Sequence, residues 1–426
     1  MLTSTALPDS ILIVGGGVFG LSTALALVNR ERNYHGKITV VEAGPIPNPD
    51  GSSVDASRII RADYAKPAYA KLATEAVSKW RTTEWGADGR FTQSGLFLFA
   101  TKSDEGYGVD YCKQGYDNVL SLGNDVVEKA QTPEDIARIA PGYSNSNIDP
   151  VAAYINWTSG WAHAEKSVQY AKELLDKTGR VTFVQAAVKQ LLVKQIAGKD
   201  TVYGVELVGG DRITADLTML ATGAWSGALI DLRGRAEATG QSVAFISITD
   251  EEQARLKDMP VMLDIGSGMF VIPPEDNKLK IARHGFGYRN PVRTVAPLGA
   301  ETPVITTSVA RSNAPLPLEG ENACREGLRM LCPHLADRPF SKTRVCWYTD
   351  TPTGDFIISY HPKYAGLFIA TGGSGHGFKF LPIIGEKIVD IMEVNPSSAM
   401  TEAVHARDSQ TYLLQILTYL GPTSLP

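Results

Sequence analysis

The chain has 426 residues, of which 43% are hydrophobic and 20% are charged, and its formal net charge is −5. This length indicates two or three domains, or one large enzyme with an inserted lobe. The acidic balance argues against a nucleic-acid or anionic-membrane partner, which would require clustered Lys and Arg.

The first elements along the chain predict a βαβ unit. Residues 11–14 form a short apolar run typical of a buried strand, residues 18–29 are rich in Ala and Leu as in a helix, and residues 37–44 predict a second strand. The uncharged stretch 11–28 is long enough to suggest a membrane span. The triple glycine inside it argues against a continuous helix, so we expect no membrane association.

The turn between this strand and helix carries a dinucleotide-binding motif. In "GGGVFG", Gly15 allows the tight turn, Gly17 lets the backbone approach a pyrophosphate, and Gly20 lets the helix pack on the strand. Glu42 follows Gly20 by 22 residues, where an acidic side chain binds ribose hydroxyls. The motif does not separate FAD from NAD, and a tight turn without a ligand is the alternative.

The middle of the chain alternates between strand and helix patterns. Residues 91–100 predict a strand or hairpin arm, and residues 159–179 a turn followed by an amphipathic helix with a Gly stop. Strands are expected within residues 181–193 and 217–220. Residues 233–330 hold several β-like stretches separated by Pro, Asp and Asn, with few helical patterns.

Near its end the chain contains the loop "GGSGHGFKFLP" (372–382), which follows a predicted strand and precedes a predicted helix. Four glycines in six positions cost backbone entropy, which suggests that something approaches this loop closely. A positive helix N-terminus behind it would stabilise the negative charge of a reduced isoalloxazine ring. A second structural βα turn is the alternative.

Together these elements predict an α/β fold with a Rossmann-type FAD-binding domain and a β-rich substrate domain, a layout similar to that of glutathione reductase and D-amino acid oxidase. The FAD-binding domain is expected to comprise residues 1–88, 155–232 and 335–426. The substrate and catalytic domain is expected to comprise residues 89–154 and 233–334.

Three motifs carry a more specific resemblance: "ASRIIRADY" (56–64), "RVCWYTDTP" (344–352) and the loop 372–382. With the glycine motif, they make nearly the whole chain resemble the flavin amine oxidases of the monomeric sarcosine oxidase family. That family includes the fructosyl amino acid oxidases (amadoriases), pipecolate oxidases and saccharopine oxidases. The resemblance implies an FAD bound covalently through the sulfur of Cys346. Without it, Cys346 would be interpreted as a small buried hydrophobic residue.

The resemblance also implies a substrate clamp. It assigns Arg58 a position beside the flavin, and it assigns Arg61 and Lys379 the substrate carboxylate, because a buried carboxylate needs charge-assisted hydrogen bonds. Without the resemblance, both arginines would be interpreted as residues on a solvent-exposed face of a helix or strand. Amadoriases typically carry lysine in place of Arg58 and lack the second arginine, so Arg61 counts against a fructosyl substrate.

The strand in "KLKIARHGFGY" (278–288) resembles the one that bears the oxygen-activating lysine of the family, here Lys280. Lys278 lies on the same strand face and is the alternative if the register differs. His284 stands where amadoriases bind the sugar through a glutamate, which again counts against a fructosyl substrate. The predicted catalytic residues are Lys280, Arg58 and His284, and the predicted substrate-binding residues are Arg61, Lys379 and His284.

The backbone at Val188 is expected to meet the adenine, and a structural role is expected for His163. The full set of predicted cofactor-binding residues is Gly15, Gly17, Val18, Phe19, Gly20, Glu42, Ala43, Ser57, Arg58, Val188, Cys346, Gly373, Gly375, Gly377, Phe378 and Lys379. The four cysteines have no zinc-like spacing, so we expect no metal site, no disulfides and a reducing compartment.

The predicted function is an FAD-dependent oxidase of the C–N bond of an N-substituted or cyclic α-amino acid, using O₂ and releasing H₂O₂. The alternatives are a fructosyl amino acid oxidase or a secondary-metabolism oxidase of a larger N-methylated amine. From another class, an NAD-type dehydrogenase or a non-catalytic nucleotide-binding protein would share the glycine motif. We expect a monomer. We expect a cytoplasmic location, with the peroxisome as the alternative, since the sequence shows no basic N-terminal signal region and no Ser-Lys-Leu-type peroxisomal ending.

Overall fold

The computed structural model describes residues 7–30, 34–102, 106–123, 126–130, 132–293, 297–300, 305–307 (backbone only) and 315–393. The predicted FAD-binding segment 335–426 and the chain ending therefore lie partly outside the described residues. The α-helices within the described residues are Val18–Asn29, Pro67–Thr82, Tyr107–Ser121, Pro133–Ile139, Ala164–Thr178, Ser226–Leu229, Asp250–Leu256, Leu318–Leu331 and Ile384–Met392.

A six-stranded sheet carries the predicted nucleotide-binding unit. Its central strands pair in parallel, and only the edge strand Ile357–Tyr360 is antiparallel to its neighbour. The spatial order is Ile357–Tyr360, Leu367–Thr371, Leu217–Leu220, Ser10–Val14, Lys37–Glu42 and Val181–Gln185. The central strands are apolar and buried, because helices cover one face of the sheet and the strands Val188–Ile196 and Lys199–Leu207 pack on the other. This confirms the predicted Rossmann-type unit.

An eight-stranded sheet forms the second large layer. Its spatial order is Lys342–Asp350, Glu237–Ser247, Lys278–Arg283, Met269–Glu275, Val261–Asp264, Leu96–Thr101, Pro150–Asn156 and Val127–Lys129. Its pairs are antiparallel except for Val261–Asp264 with Leu96–Thr101. The predicted β-rich layer is thus present.

Three smaller sheets complete the fold. One joins Val188–Ile196, Lys199–Leu207 and Arg212–Thr214; one joins Arg58–Ile60, Gly160–Ala162 and Phe91–Thr92; and one joins Pro291–Arg293 with Ile305–Thr307. The predicted stretch 303–309 lies mostly outside the described residues.

The sheets differ from the predicted domain division at three places. Strand Lys342–Asp350 was assigned with the FAD-binding segments, but it pairs along its whole length with Glu237–Ser247 in the eight-stranded sheet. Strand Pro150–Asn156 crosses the predicted boundary at residue 154. Strand Phe91–Thr92 was assigned to the substrate domain, but it pairs with Gly160–Ala162. These differences arise because a strand pattern does not reveal the pairing partner. The domain boundaries themselves stay a prediction.

Two helices, Asp250–Leu256 and Leu318–Leu331, were missed in the region described as poor in helical patterns. Leu318–Leu331 contains Gly320 and Gly327, which weaken a helical pattern. A Cβ at Gly320 would lie 2.3 Å from Ser242 Oγ, and one at Gly327 would lie 2.4 Å from Met269 Cε. The glycines therefore let this helix lie close against the eight-stranded sheet.

No helix among the described residues is both long and apolar enough to cross a membrane. The apolar stretch 11–28 is divided by the glycine turn into strand Ser10–Val14 and helix Val18–Asn29, as predicted.

Candidate active site

A cavity of about 520 Å³ lies where the parallel strands end, between the two glycine loops. This is where open α/β sheets bind their ligands. The predicted cofactor-binding residues that line it are Gly15, Gly17, Val18, Phe19, Glu42, Ala43, Arg58, Val188, Gly373, Gly375, Gly377 and Phe378.

Four predicted cofactor-binding residues do not line this cavity. Gly20 packs beneath it, since a Cβ there would lie 1.9 Å from the carbonyl oxygen of Gly15. Ser57 and Lys379 line a smaller adjoining cavity. Cys346 is buried beside the cavity, on the same strand as Tyr348, which lines it.

The first glycine loop is shaped for close approach of a ligand. Gly15 has φ +112°, and a Cβ there would lie 2.3 Å from the carbonyl oxygen of Ala221. The Glu42 carboxylate accepts a hydrogen bond from Gly16 N–H at 2.7 Å and another from Asn48 Nδ2 at 2.8 Å. The helix Val18–Asn29 begins directly behind this bare backbone, and a helix N-terminus attracts phosphate. The residues present therefore fit the pyrophosphate of FAD.

The second glycine loop needs glycine because side chains from other segments pack directly against its backbone. Gly375 has φ +70°, and a Cβ there would lie 2.5 Å from both His284 Cε1 and Tyr348 Cε2. The predicted helix after this loop is present, since α-helix Ile384–Met392 begins directly after residues 372–382. The loop itself contains a short 3₁₀ turn, Phe378–Phe380. In this turn the Lys379 carbonyl accepts a hydrogen bond from Trp80 Nε1 at 2.7 Å.

The smaller cavity, of about 90 Å³, adjoins the larger one and shares Arg58, Tyr348, Gly375 and Phe378 with it. Every residue predicted for catalysis or substrate binding lines it: Arg58, Arg61, Lys280, His284 and Lys379. The rest of its wall is largely apolar, with Ile59, Leu263, Ile265, Phe270 and Ile272. No carboxylate is among its lining residues in the described part of the chain. This arrangement suits an anionic ligand with an apolar remainder.

Arg61 is a buried cation with hydrogen-bonding capacity to spare. Its Nη2 donates to the Tyr111 hydroxyl at 3.1 Å, and its guanidinium carbon lies 4.6 Å from the centroid of the Tyr64 ring. Its Nη1 is buried without a hydrogen-bond partner. Because buried donors are nearly always satisfied in native proteins, this nitrogen indicates a missing acceptor.

Lys379 contacts the same tyrosine. Its Nζ donates to the Tyr64 hydroxyl at 2.7 Å and to the carbonyl of His376 at 2.8 Å, which leaves one of its three N–H donors. Burial and the Arg61 charge lower the pKa of Lys379 well below its usual value. A carboxylate bound between Arg61 and Lys379 would reverse this effect.

The Tyr64 hydroxyl also contacts His376, with 3.0 Å between Tyr64 Oη and His376 Nδ1. Because the Tyr64 oxygen accepts a hydrogen bond from Lys379 Nζ, the Tyr64 hydroxyl donates its hydrogen to His376 Nδ1. His376 Nε2 then donates to the carbonyl of Gly354 at 2.8 Å. Burial and the Lys379 charge lower the pKa of His376 well below its usual value. The imidazole is therefore neutral, and its tautomer is fixed by this chain of hydrogen bonds.

Lys280 and Arg58 differ from the first two cations in having an internal counterion. Lys280 Nζ lies 2.7 Å from Asp55 Oδ2 and donates to the carbonyl of Ser57 at 2.7 Å. Arg58 Nη1 donates to the same Asp55 oxygen. Burial alone would raise the pKa of the Asp55 carboxyl, but the charges of Lys280 and Arg58 hold it well below its usual range.

Cys346 lies next to this group. Arg58 Nη2 lies 3.3 Å from Cys346 Sγ and also donates to the carbonyl of Ser52 at 2.9 Å. The thiol is buried, and its strand pairs with the neighbouring strand that contains Gly240 and Gln241. Arg58 therefore contacts both Cys346 and Asp55, and it also lines the larger cavity.

His284 is accessible from the open cavity, and its ring centroid lies 5.8 Å from that of Tyr348. The protein around the ring, together with the Arg61 and Lys379 charges, lowers the pKa of its imidazole to about 4. His284 is therefore neutral near pH 7. The predicted structural role of His163 agrees with its position as N-cap of helix Ala164–Thr178, where its Nδ1 accepts from Lys166 N–H at 3.4 Å.

Sequence reasoning missed Asp55, Tyr64, Tyr111 and His376. Three of them lie in or next to the motifs quoted for the resemblance: Asp55 directly before "ASRIIRADY", Tyr64 at its end, and His376 inside the second glycine loop. The signal that could have identified these three is their place in or next to motifs that also contain cations, because buried cations need polar partners nearby. Tyr111 comes from the separate helix Tyr107–Ser121 and has no such local signal.

The glycine cradles and the buried cations define a nucleotide-dependent oxidoreductase with an anion site. Residues 10–391 match the family of FAD dependent oxidoreductases, and the chain belongs to this family. Among the described residues no group of His, Cys, Asp and Glu is placed to hold a metal ion.

Individual relatives make the comparison more specific. The chain is 32% identical to L-saccharopine oxidase of Schizosaccharomyces pombe over 89% of this chain and 88% of that protein. It is 30% identical to an amino acid oxidase of Aspergillus flavus over 93% of this chain and 96% of that protein. Among solved structures, a thermally stable mutant of fructosyl peptide oxidase superposes with a TM-score of 0.82 at 26% identity, covering 92% of each chain. The predicted family resemblance and fold class are confirmed.

Proposed function

We propose that this FAD-dependent enzyme oxidises the C–N bond of an N-substituted or cyclic α-amino acid whose carboxylate binds between Arg61 and Lys379. The product imine would hydrolyse to an aldehyde or keto acid and an amine, and O₂ would be reduced to H₂O₂. The observation that carries this proposal is the buried, unpartnered Nη1 of Arg61 beside Lys379 in a cavity that adjoins the glycine cradles. Relatives named amino acid oxidase and saccharopine oxidase support the substrate class.

When bound, FAD supplies the acceptor for the hydride equivalent and the site of reaction with O₂. The role of the protein at the start of the reaction is to bind and orient the substrate. Arg61 presents a planar fork and Lys379 a single donor to the two carboxylate oxygens. The apolar wall of Ile59, Phe270 and Ile272 would then hold the rest of the substrate away from water.

The protonation state of the amine follows from the charges around it. Arg58, Arg61, Lys280 and Lys379 line the smaller cavity, and His284 and His376 are neutral there. Four nearby cations disfavour a protonated amine and lower its pKa. The substrate nitrogen would therefore lose its proton on entering the site, so that no general base is needed for the C–H step.

Lys280 and Arg58 would act in the reaction with O₂. A fixed positive charge stabilises the negative charge that develops on O₂ as it takes up the first electron. Their shared counterion Asp55 supports this assignment, since a pair already balanced by a carboxylate has less need of a substrate carboxylate.

Covalent attachment of FAD through Cys346 is part of the proposal. It is supported by the position of Cys346 beside Arg58, which lines the larger cavity. Protein denatured in acid should remain yellow, and the peptide containing Cys346 should carry the mass of FAD. Cys346→Ala should release the flavin into the supernatant. Recovery of free flavin from the native enzyme would contradict the attachment.

A fructosyl amino acid oxidase is the second candidate, favoured by the structural similarity to fructosyl peptide oxidase. The largely apolar remainder of the smaller cavity wall speaks against it, because a sugar needs many hydrogen-bond partners beyond those that bind the carboxylate. A larger N-methylated amine is the third candidate, and the N-methyl amino acids in the screen below test it. The monomeric state and cytoplasmic location stay predictions.

The experiment that tests this proposal is a peroxide-release screen. The panel contains sarcosine, pipecolate, saccharopine, N-methyl amino acids and fructosyl-valine, each with the matching methyl ester as control. We expect activity with a compact N-substituted or cyclic amino acid and a large loss with its ester, which cannot bind as a carboxylate. Equal rates with acid and ester, or activity with fructosyl-valine alone, would contradict the proposal.

A further inference from the structure

Asp55 is a buried carboxylate that two cations share. Its side chain is 2% exposed. Its Oδ2 accepts hydrogen bonds from Lys280 Nζ, at 2.7 Å, and from Arg58 Nη1. Its Oδ1 accepts a hydrogen bond from Ala56 N–H at 2.8 Å. The backbone carbonyl of Asp55 accepts from Glu165 N–H at 3.2 Å, which anchors this segment to helix Ala164–Thr178. Asp55 is thus a fixed point of the site and is closed to solvent.

The elements packed around Asp55 bring mainly positive charge. Lys280 comes from strand Lys278–Arg283 and Arg58 from strand Arg58–Ile60. Strand Lys342–Asp350 contributes Arg344, whose Nη1 donates to the carbonyl of Val54 at 3.1 Å, together with Cys346 and Tyr348. Without the Asp55 carboxylate, these cations would face one another in a buried space.

The Lys280 ammonium depends on this carboxylate. Burial lowers its pKa, Asp55 raises it and Arg58 lowers it again, with a net value of about 8. The usual value for lysine is about 10.4, so burial and repulsion already outweigh the attraction of Asp55. The second bond of Lys280, to the carbonyl of Ser57, also involves the segment that Asp55 anchors.

We propose that Asp55 is a positioning residue that keeps Lys280 protonated and directs its ammonium toward the junction of the two cavities. This inference rests on the proposed role of Lys280 in the reaction with O₂. Asp55 itself does not line either cavity, so it acts through Lys280 and not through contact with substrate or cofactor.

The test uses the complete flavin-loaded protein and the near-isosteric variant Asp55→Asn. Lysine labelled with ¹³C at Cε reports the titration of each ammonium, and the resonance absent from Lys280→Met identifies Lys280. We expect the Lys280 midpoint to fall by about one unit or more in Asp55→Asn, because an opposite charge at this distance shifts a pKa by about 1–3 units. An unchanged midpoint would overturn the proposal.

A second readout follows reoxidation of dithionite-reduced protein by O₂, which requires no substrate. In the native protein the rate should fall as the pH rises through about 8, as Lys280 loses its proton. In Asp55→Asn this fall should move to lower pH, so that reoxidation near pH 7.5 is about three- to tenfold slower and recovers near pH 6. Slow reoxidation at every pH would indicate a merely structural defect and overturn the proposal.

Asp63 offers a matched control. It is also a buried carboxylate, but its oxygens accept from Asn156 Nδ2 and Ser159 Oγ, each at 3.0 Å, rather than from a cation. Asp63→Asn should leave the Lys280 titration in place, and Asp55→Glu should keep it closer to native than Asp55→Asn does. A similar shift in Asp63→Asn would overturn the assignment to Asp55.

If Asp55→Asn does not fold, the ¹³C titration of Lys280 in the native protein decides, since an ammonium that is already deprotonated at pH 7 would refute the proposal that Asp55 keeps Lys280 protonated. Because neither readout involves an amino-acid substrate, failure of the proposed substrate class and failure of this inference are distinguishable.

Discussion

Two pairs of buried cations line the same small cavity, and they differ in what balances their charge. Lys280 and Arg58 share the carboxylate of Asp55. Arg61 and Lys379 have hydroxyl and carbonyl partners, and within the described residues no carboxylate forms an ion pair with either. A buried charge without a counterion is costly, and burial together with Arg61 lowers the pKa of Lys379, so we expect the second pair to be fully charged only when an anion from outside binds. We therefore propose that the pairs act in different steps: Arg61 and Lys379 bind the substrate, and Lys280 and Arg58 act in the reaction with O₂.

The largest expected effect comes from removing the unpaired arginine. Arg61→Ala should weaken binding of substrate and of acetate-type inhibitors by about 2–5 kcal/mol, because one cation of a desolvated pair is lost. Spectral titration of the bound flavin measures this affinity. The neutral acetamide analogue is the control, and its affinity should change little. Unchanged binding of carboxylate inhibitors would remove the distinction between the pairs.

Lys280 belongs to the pair whose charge Asp55 balances, and we expect it to affect reoxidation of the reduced flavin rather than substrate binding. Lys280→Met keeps a similar length and apolar stem but removes the charge. Reoxidation of the reduced enzyme should slow by about a hundredfold, the effect of losing one preorganised electrostatic group. Acetate-type inhibitors should bind as before. If inhibitor binding weakened instead, Lys280 would belong to the substrate clamp.

Proton uptake on ligand binding should sharpen the comparison. The pKa of Lys379 is well below its usual value in the free protein, and a bound carboxylate raises it. Inhibitor affinity should therefore be constant below the pKa of free Lys379 and fall by up to about tenfold per pH unit above it. Calorimetry in two buffers of different ionisation enthalpy measures the uptake, which should vanish in Lys379→Met. No uptake in the native enzyme would mean that Lys379 is already charged.

The smallest expected effect concerns Tyr64, whose hydroxyl holds Lys379 in place. Tyr64→Phe keeps the ring that stacks on Arg61 and should weaken inhibitor binding by about 0.5–1.5 kcal/mol, the net contribution of a hydrogen bond. Tyr154→Phe is the control, because the Tyr154 hydroxyl is buried without a hydrogen-bond partner. Equal effects of the two substitutions would deny Tyr64 a specific role.

Local patterns made much of this molecule predictable. The strand, glycine turn and helix from Ser10 to Asn29 were predicted at nearly the observed bounds, because their signals lie within a few residues. Contacts between segments that are distant in sequence could not be predicted from local patterns. Asp55 lies 225 residues from Lys280 in sequence, and only the packing of the loop before strand Arg58–Ile60 against the eight-stranded sheet brings them together. Likewise, no pattern in residues 342–350 reveals which sheet this strand joins.

The most direct test of the central distinction is stopped-flow measurement of both half-reactions in Arg61→Ala and Lys280→Met, with one oxidised substrate. Arg61→Ala should slow anaerobic flavin reduction at low substrate and leave reoxidation unchanged. Lys280→Met should change reduction by less than about tenfold and slow reoxidation by about a hundredfold. If each variant impaired both half-reactions to the same extent, the two cation pairs would form a single functional unit and the account would be wrong.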